Sequence, residues 1–151
     1  MKKIGIISAL VFGIILFSNS ANAQDYKTAL GIRISSQDAA VNHSITVKQF
    51  FSESIALEGL LSFGDPVAIG LLIEKHKPID INALNYFYGG GAYFAFAGDR
   101  TAGLQGVLGI DYRIPNVPFN LSIDWKPELN IAKKLSFEPA AVALSARFVF
   151  R

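Results

Sequence analysis

Apolar and polar residues alternate one by one along most of the chain after residue 25. In the stretch GIDYRIPNVPFNLSIDWKPELNI, residues 109–131, two such runs flank a Pro-Asn-Val-Pro turn. One face of each run is apolar, and the other carries full charges such as Asp111 and Lys126. A period of two residues predicts β-strands. The question is which of the two faces points to the interior of the folded protein.

The same alternation predicts eight strands along the chain, while helical periodicity is poor. The predicted strands are at residues 26–35, 44–52, 54–64, 67–77, 85–97, 102–114, 118–131 and 140–151. Evenly repeated strands joined by turns marked by Gly, Asn and Pro are typical of an up-and-down antiparallel barrel. We therefore expect an all-β, eight-stranded barrel.

The N-terminus has the three parts of a secretory signal peptide. Met1-Lys2-Lys3 is basic, residues 4–17 are apolar, and Ala21-Asn22-Ala23 has the small-residue pattern of a cleavage site. We expect cleavage after Ala23, which leaves 24–151 as one barrel domain. A retained anchor is the alternative, but the apolar part is shorter than the roughly 20 residues that span a bilayer.

Composition excludes several classes of function. The chain has no Cys, and so it has no disulfides, no thiol chemistry and no lipoprotein anchor. Without Lys2 and Lys3, basic and acidic residues balance at twelve each. A neutral mature chain gives no electrostatic case for a nucleic-acid partner.

The face opposite the apolar one carries ten charged residues among Gly, Ala and Ser. Five are basic and five are acidic: Arg33, Lys48, Arg113, Lys126 and Arg147, and Glu58, Glu74, Asp111, Asp124 and Glu128. Eight strands leave a narrow interior, and buried charges must be paired. We predict that these residues form a structural network inside the barrel. A soluble lipocalin-like barrel is the alternative, but its interior could not hold so bulky an apolar face.

Four stretches carry a resemblance to a known family: residues 73–78, residues 85–93, Gly109–Arg113 and Asn120–Pro127. With the alternation, they resemble the small outer-membrane β-barrel proteins of Bacteroidetes, many of unassigned function. The resemblance implies a barrel in the outer membrane of a Gram-negative bacterium, in contact with lipids and lipopolysaccharide, and no catalytic residues. Such barrels often end on an aromatic residue that the barrel assembly machinery reads; here Arg151 follows Phe150.

An even number of strands puts both termini in the periplasm. The connections at 52–54, 77–84 and 115–118 are then periplasmic, and those at 36–43, 64–66, 98–101 and 132–139 are external. Lys133 and Lys134 in the last external loop are candidates for contact with lipopolysaccharide phosphates, but two lysines are weak evidence and a solvated loop is the simpler interpretation.

Three motifs contain residue types that could support catalysis or ligand binding. His43 and Ser44 are neighbours, as a base and a nucleophile would have to be near each other, but adjacent strand residues point to opposite faces. Glu74 and His76 share a face, yet two ligands make a poor metal site, and a hydrogen bond at the periplasmic mouth is the simpler interpretation. Gly89-Gly90-Gly91 lacks the following Lys of a phosphate loop and suits a bend or close packing.

The sequence thus predicts a non-enzymatic outer-membrane barrel with a structural or envelope role, a closed interior, and no cofactor or metal. A small pore or a barrel that binds a surface ligand is the first alternative. A lipid A-modifying enzyme around His43 and Ser44 is the second. Oligomeric state is left open.

Overall fold

The computed structural model describes residues 27–36, 40–96, 102–132 and 135–150. The predicted signal peptide, residues 1–23, lies outside these ranges. The described chain is all-β, and it contains no helix that is long and apolar enough to cross a membrane. Its strands are β1 (Thr28–Ser35), β2 (Ser44–Phe50), β3 (Ile55–Ser62), β4 (Ala68–Pro78), β5 (Leu84–Ala95), β6 (Ala102–Arg113), β7 (Phe119–Trp125), β8 (Glu128–Asn130), β9 (Ser136–Glu138) and β10 (Val142–Phe150).

These segments form a closed antiparallel barrel of eight strands, which confirms the predicted fold. β7 and β8 are the two parts of the seventh strand, and β9 and β10 are the two parts of the eighth. Sequence neighbours pair around the wall, and β1 pairs with β10 to close it, from Thr28 opposite Phe150 to Ser35 opposite Ala143. Because the sheet closes on itself, each strand of the wall has a hydrogen-bonded neighbour on both sides.

The structure differs from the predicted strands around Pro127. The seventh strand is interrupted at Lys126 and Pro127, because proline has no N–H to donate to the ladder. The segment β9 lies within residues 132–139, which were predicted to be a loop, and pairs with β8. Its alternation of exposed Leu135 and Phe137 with half-buried Ser136 continues the barrel pattern into the connection.

The two faces of the wall are oppositely composed. Large apolar side chains such as Ile73, Leu104 and Leu144 are exposed on the outside. Charged and amide side chains such as Lys48 and Asn120 are completely buried inside. The polar face therefore forms the interior, and the apolar face forms the outer surface.

The barrel has two distinct ends. The end that holds Thr28 and Phe150, called the terminal end below, also carries the connections after β2, β4 and β6. One of these is the Pro-Asn-Val-Pro turn, where Asn116 has a positive φ of 65°, a conformation that Asn tolerates better than most residues. The other end, called the loop end, carries the connections after β1, β3, β5 and β8.

Some glycines allow neighbouring strands to approach closely. A Cβ added to Gly31 would overlap the carbonyl oxygen of Ala146 across the β1–β10 seam. Gly89 and Gly91 in β5 meet the backbone of β4 in the same way, which fits the predicted role in close packing. A Cβ on Gly59 in β3 would have its nearest neighbour at 3.9 Å, an ordinary contact.

We therefore expect Gly31→Ala to destabilise the folded barrel, since the backbone at the seam must shift to admit the methyl group. The loss should be about 1–3 kcal/mol, the usual range for an overpacked site. Gly59→Ala is the matched control and should change stability much less. Urea unfolding of both variants in lipid vesicles measures the difference, and equal stability of the two would contradict the steric account of the seam.

Candidate functional site: the charged interior

The interior polar residues form two groups, one nearer each end. The terminal cluster consists of Lys48, Glu58, Glu74, Asp111 and Arg147. The loop-end cluster consists of Arg33, Gln105, Asp124, Lys126 and Glu128. All ten are at most 3% exposed. Nine of them are charged residues of the predicted network, which the fold brings together from eight strand segments and the break at Lys126.

Lys48 stands at the centre of the terminal cluster, among three carboxylates. Its Nζ is 2.7 Å from Oε2 of Glu74, 3.7 Å from Oε2 of Glu58 and 3.9 Å from Oδ2 of Asp111. Asp111 also accepts a hydrogen bond from the amide of Asn120. One cation thus links carboxylates on β3, β4 and β6, and the narrow interior brings β2 within reach of β6.

Arg147 of β10 supplies the second cation of this cluster. Its guanidinium pairs with Glu58 and donates to Oγ of Ser122 at 2.8 Å and to Oγ1 of Thr46 at 3.3 Å. It also reaches Oδ1 of Asn120 at 3.4 Å. Several donors in a planar fork explain why Arg suits this position, since a buried cation needs most of its N–H groups satisfied.

The loop-end cluster contains a two-pronged ion pair across the barrel. Arg33 of β1 donates through Nη1 and Nη2 to the two carboxylate oxygens of Asp124 on β7, at 2.8 and 2.7 Å. This paired geometry is the strongest common form of a charged hydrogen bond. It joins two strands that are separated by β10 in the wall.

Glu128 holds a segment of the first connection inside the barrel mouth. Its carboxylate pairs with Lys126, whose Nζ also donates to Oε1 of Gln105 at 3.1 Å. The same carboxylate accepts the backbone N–H of Ala40 at 2.6 Å and that of Val41 at 3.3 Å. The connection after β1 therefore turns into the barrel mouth at Ala40 and Val41.

The other half of the interior is apolar, which the sequence did not predict. Val41 is fully buried and belongs with Ala40 to a cluster that also contains Leu60, Ala68, Leu72, Phe87, Tyr93, Ala95 and Val107. A sequence signal existed, because Ala39-Ala40-Val41 is an apolar run within an otherwise polar connection. The interior is thus filled by an apolar half as well as by ion pairs.

His76 lies in the terminal half of the interior and joins both parts. Its Nε2 is 2.9 Å from Oε2 of Glu74. Its ring stacks on Phe87 at 5.0 Å between centroids and meets the edge of Phe50 at 4.9 Å. The described residues contain no group of three or more His, Cys, Asp or Glu placed to hold a metal ion.

Arg113 is the tenth charged residue of the predicted network. It is half-buried at the last residue of β6, nearer the terminal mouth than the buried charges. His43 is exposed and Ser44 is buried, so the two side chains point to opposite faces and form no base–nucleophile pair. Lys133 and Lys134 lie outside the described residues.

Comparison with known proteins returned no match. No family model fits the chain, and no curated protein or solved structure is significantly similar to it.

Breaking the Arg33–Asp124 pair should be costly. Asp124→Ala leaves a buried guanidinium without its partner, and we expect a loss of about 3–5 kcal/mol in the free energy of unfolding. Replacing both residues together, as Arg33→Met with Asp124→Leu, should cost less, because no buried charge is left alone. Unfolding in denaturant measures both, with Asp80→Asn in an exposed turn as the control. A double variant less stable than the single one would overturn this account.

Proposed function

We propose that the protein is a non-enzymatic integral outer-membrane protein with a structural or envelope role and a closed interior. The single observation that carries this proposal is the distribution of polarity across the wall. Ionic side chains are enclosed, while large apolar side chains are exposed on strand after strand. Membrane barrels have this arrangement, whereas a soluble barrel has the reverse.

The extent of the outer apolar surface supports a membrane environment. Exposed aliphatic and aromatic side chains occur on every strand of the wall, among them Ile32, Ile69, Phe94, Ile110 and Phe148. Water-soluble monomers rarely expose a continuous apolar patch larger than a few hundred Å². In a hydrocarbon environment, exposed apolar side chains carry no hydration penalty. The closed hydrogen-bond ladder also leaves no strand edge unpaired in that environment.

The resemblance to small Bacteroidetes barrels adds the compartment. In this proposal the terminal end faces the periplasm, the loop end faces outward, and the protein contacts outer-membrane lipids and lipopolysaccharide after insertion by the barrel assembly machinery. Lys75 and Lys77, exposed on β4 towards the terminal end, would then lie near phosphate headgroups on the periplasmic side.

A small pore is the second candidate, favoured by the ionic lining of the interior. The packing of the interior argues against an open path for ions through the barrel. Arg147, Lys48 and Arg33 reach across the interior to carboxylates on other strands. Val41 and Phe87 fill the remaining side, both almost completely buried. A lipid A-modifying enzyme has less support, since His43 and Ser44 face apart.

The membrane proposal predicts that the protein stays in the membrane pellet after a urea wash. It should also migrate differently in boiled and unboiled gel samples, because a closed barrel in lipid resists unfolding. Peripheral proteins in the same preparation are the control for the wash. Recovery of folded protein in the soluble fraction would overturn the membrane proposal.

The closed interior predicts little or no steady conductance when the purified protein is inserted in planar bilayers. Ion pairs and packed apolar side chains leave no continuous water path through an eight-stranded barrel. A larger porin measured under the same conditions is the positive control. Large, stable channels from the wild-type protein would support the pore candidate instead.

A further inference from the structure

The wall of the barrel is much taller on one side than on the other. β5 and β6 have 12 residues each, and the seventh strand runs from Phe119 to Asn130. β1 and β3 have 8 residues and β2 has 7. The strands of the first side are therefore about half as long again as those of the other.

The difference in height falls almost entirely at the loop end. At the terminal end, neighbouring strands finish within a few residues of one another, as Thr28 pairs with both Phe150 and Gln49. At the loop end, the last residue of β1, Ser35, pairs with Ala143. The eighth strand continues past this point to β9, which pairs with β8 alone. The wall steps upward between β1 and β9.

Strand geometry converts these lengths into heights. A strand rises about 3.3 Å per residue and is tilted by roughly 40° in a small barrel. Eight residues then cover about 20 Å along the barrel axis, and twelve cover about 30 Å.

The tall side stays apolar on the outside at the described residues on both sides of the β8–β9 turn. Ile131, Leu135 and Phe137 beside this turn are 54%, 74% and 62% exposed. They extend the row of outward apolar side chains that includes Leu104, which is paired through Leu129 with Phe137. On the short side, the outward apolar series ends with Ile34 on β1 and Ile45 on β2, with the exposed, polar His43 close above them.

We propose that the apolar belt is wedge-shaped and that the bilayer is locally thinned beside β1 and β2, while the outward apolar side chains of β8, β9 and their flanks (Ile131, Leu135 and Phe137) lie in the outer leaflet. This inference rests on the proposed membrane location. The apolar band of an outer-membrane barrel is about 25 Å tall, so the tall side spans it and the short side does not. Tilting the barrel cannot remove the mismatch, because the terminal rim is nearly level and the two sides differ in length.

Local thinning of the bilayer is a common response to such a mismatch, because it costs little free energy. Beside β1 and β2, the outer lipid headgroups come down towards the level of Ile34. Lipids there are shorter or more disordered than those that contact the hairpin. The protein thus provides a place of weakened lipid packing on one flank and an anchor on the other.

The single native tryptophan gives a direct test. Trp125 pairs with Val142, and Leu144, two residues further along β10, pairs with Ile34. Two lateral steps in a tilted wall climb about 6 Å, and two residues along β10 descend about 5 Å, so Trp125 and Ile34 lie at nearly the same height. In a bilayer of uniform thickness they would be equally deep.

The experiment compares three proteins in vesicles of phosphatidylcholine brominated either near the headgroup or near the chain ends. The first is the wild-type protein with Trp125. The other two are Trp125→Phe with Ile34→Trp, and Trp125→Phe with Phe137→Trp. Circular dichroism and the gel shift of unboiled samples establish that each variant is folded.

We expect Trp125 to be quenched more by the deep bromines and the tryptophan at position 34 more by the shallow ones. The tryptophan at position 137 should be quenched by brominated chains and protected from aqueous iodide. The same depth profile at positions 34 and 125, or free iodide access at 137, would overturn the wedge. If Trp125 itself escapes quenching by brominated chains, the membrane location fails, which is a separate outcome.

Discussion

Closure of the backbone hydrogen-bond ladder is the constraint on which the rest of the molecule depends. Once β1 pairs with β10, every residue of the wall must point either into a narrow interior or out to the surroundings. Alternate residues of one strand therefore experience opposite environments. The single-residue alternation of the sequence matches this geometry, and a slip of one residue in strand register would exchange the two faces.

Charged side chains in the narrow interior need partners, and the fold supplies them by pairing side chains from different strands. Lys48 and Arg147 neutralise carboxylates from three other strands, and Arg33 holds Asp124 with two hydrogen bonds. The neutral side chain of Asn120 adds hydrogen bonds to Asp111 and Arg147. The charged side chains therefore contribute to the packing of the interior.

The sequence was sufficient for the barrel, its strand count and the identity of nine of its buried charges, because each follows from alternation alone. Alternation carries no register, so it could not assign Lys48 to Glu74 or Arg147 to Glu58. Both connections, 36–43 and 132–139, were predicted as loops because their alternation is short. The prediction therefore missed the strand β9 and the burial of Val41 inside the barrel. The position of Arg113 near a mouth depends on strand length, which residue spacing determines only to within a few residues.

The bond between Glu128 and the amides of Ala40 and Val41 has a consequence for assembly. It connects the first hairpin to the seventh strand, 88 and 87 residues apart along the chain. Arg33 and Asp124 are separated by 91 residues. Neither the Arg33–Asp124 ion pair nor the bonds from Ala40 and Val41 to Glu128 can form until nearly the whole polypeptide is present. Contacts so distant in sequence form late and slowly. A chain that stops before β7 lacks the acceptors for both, so any partly assembled intermediate keeps an unsealed and uncompensated interior until its final strands arrive.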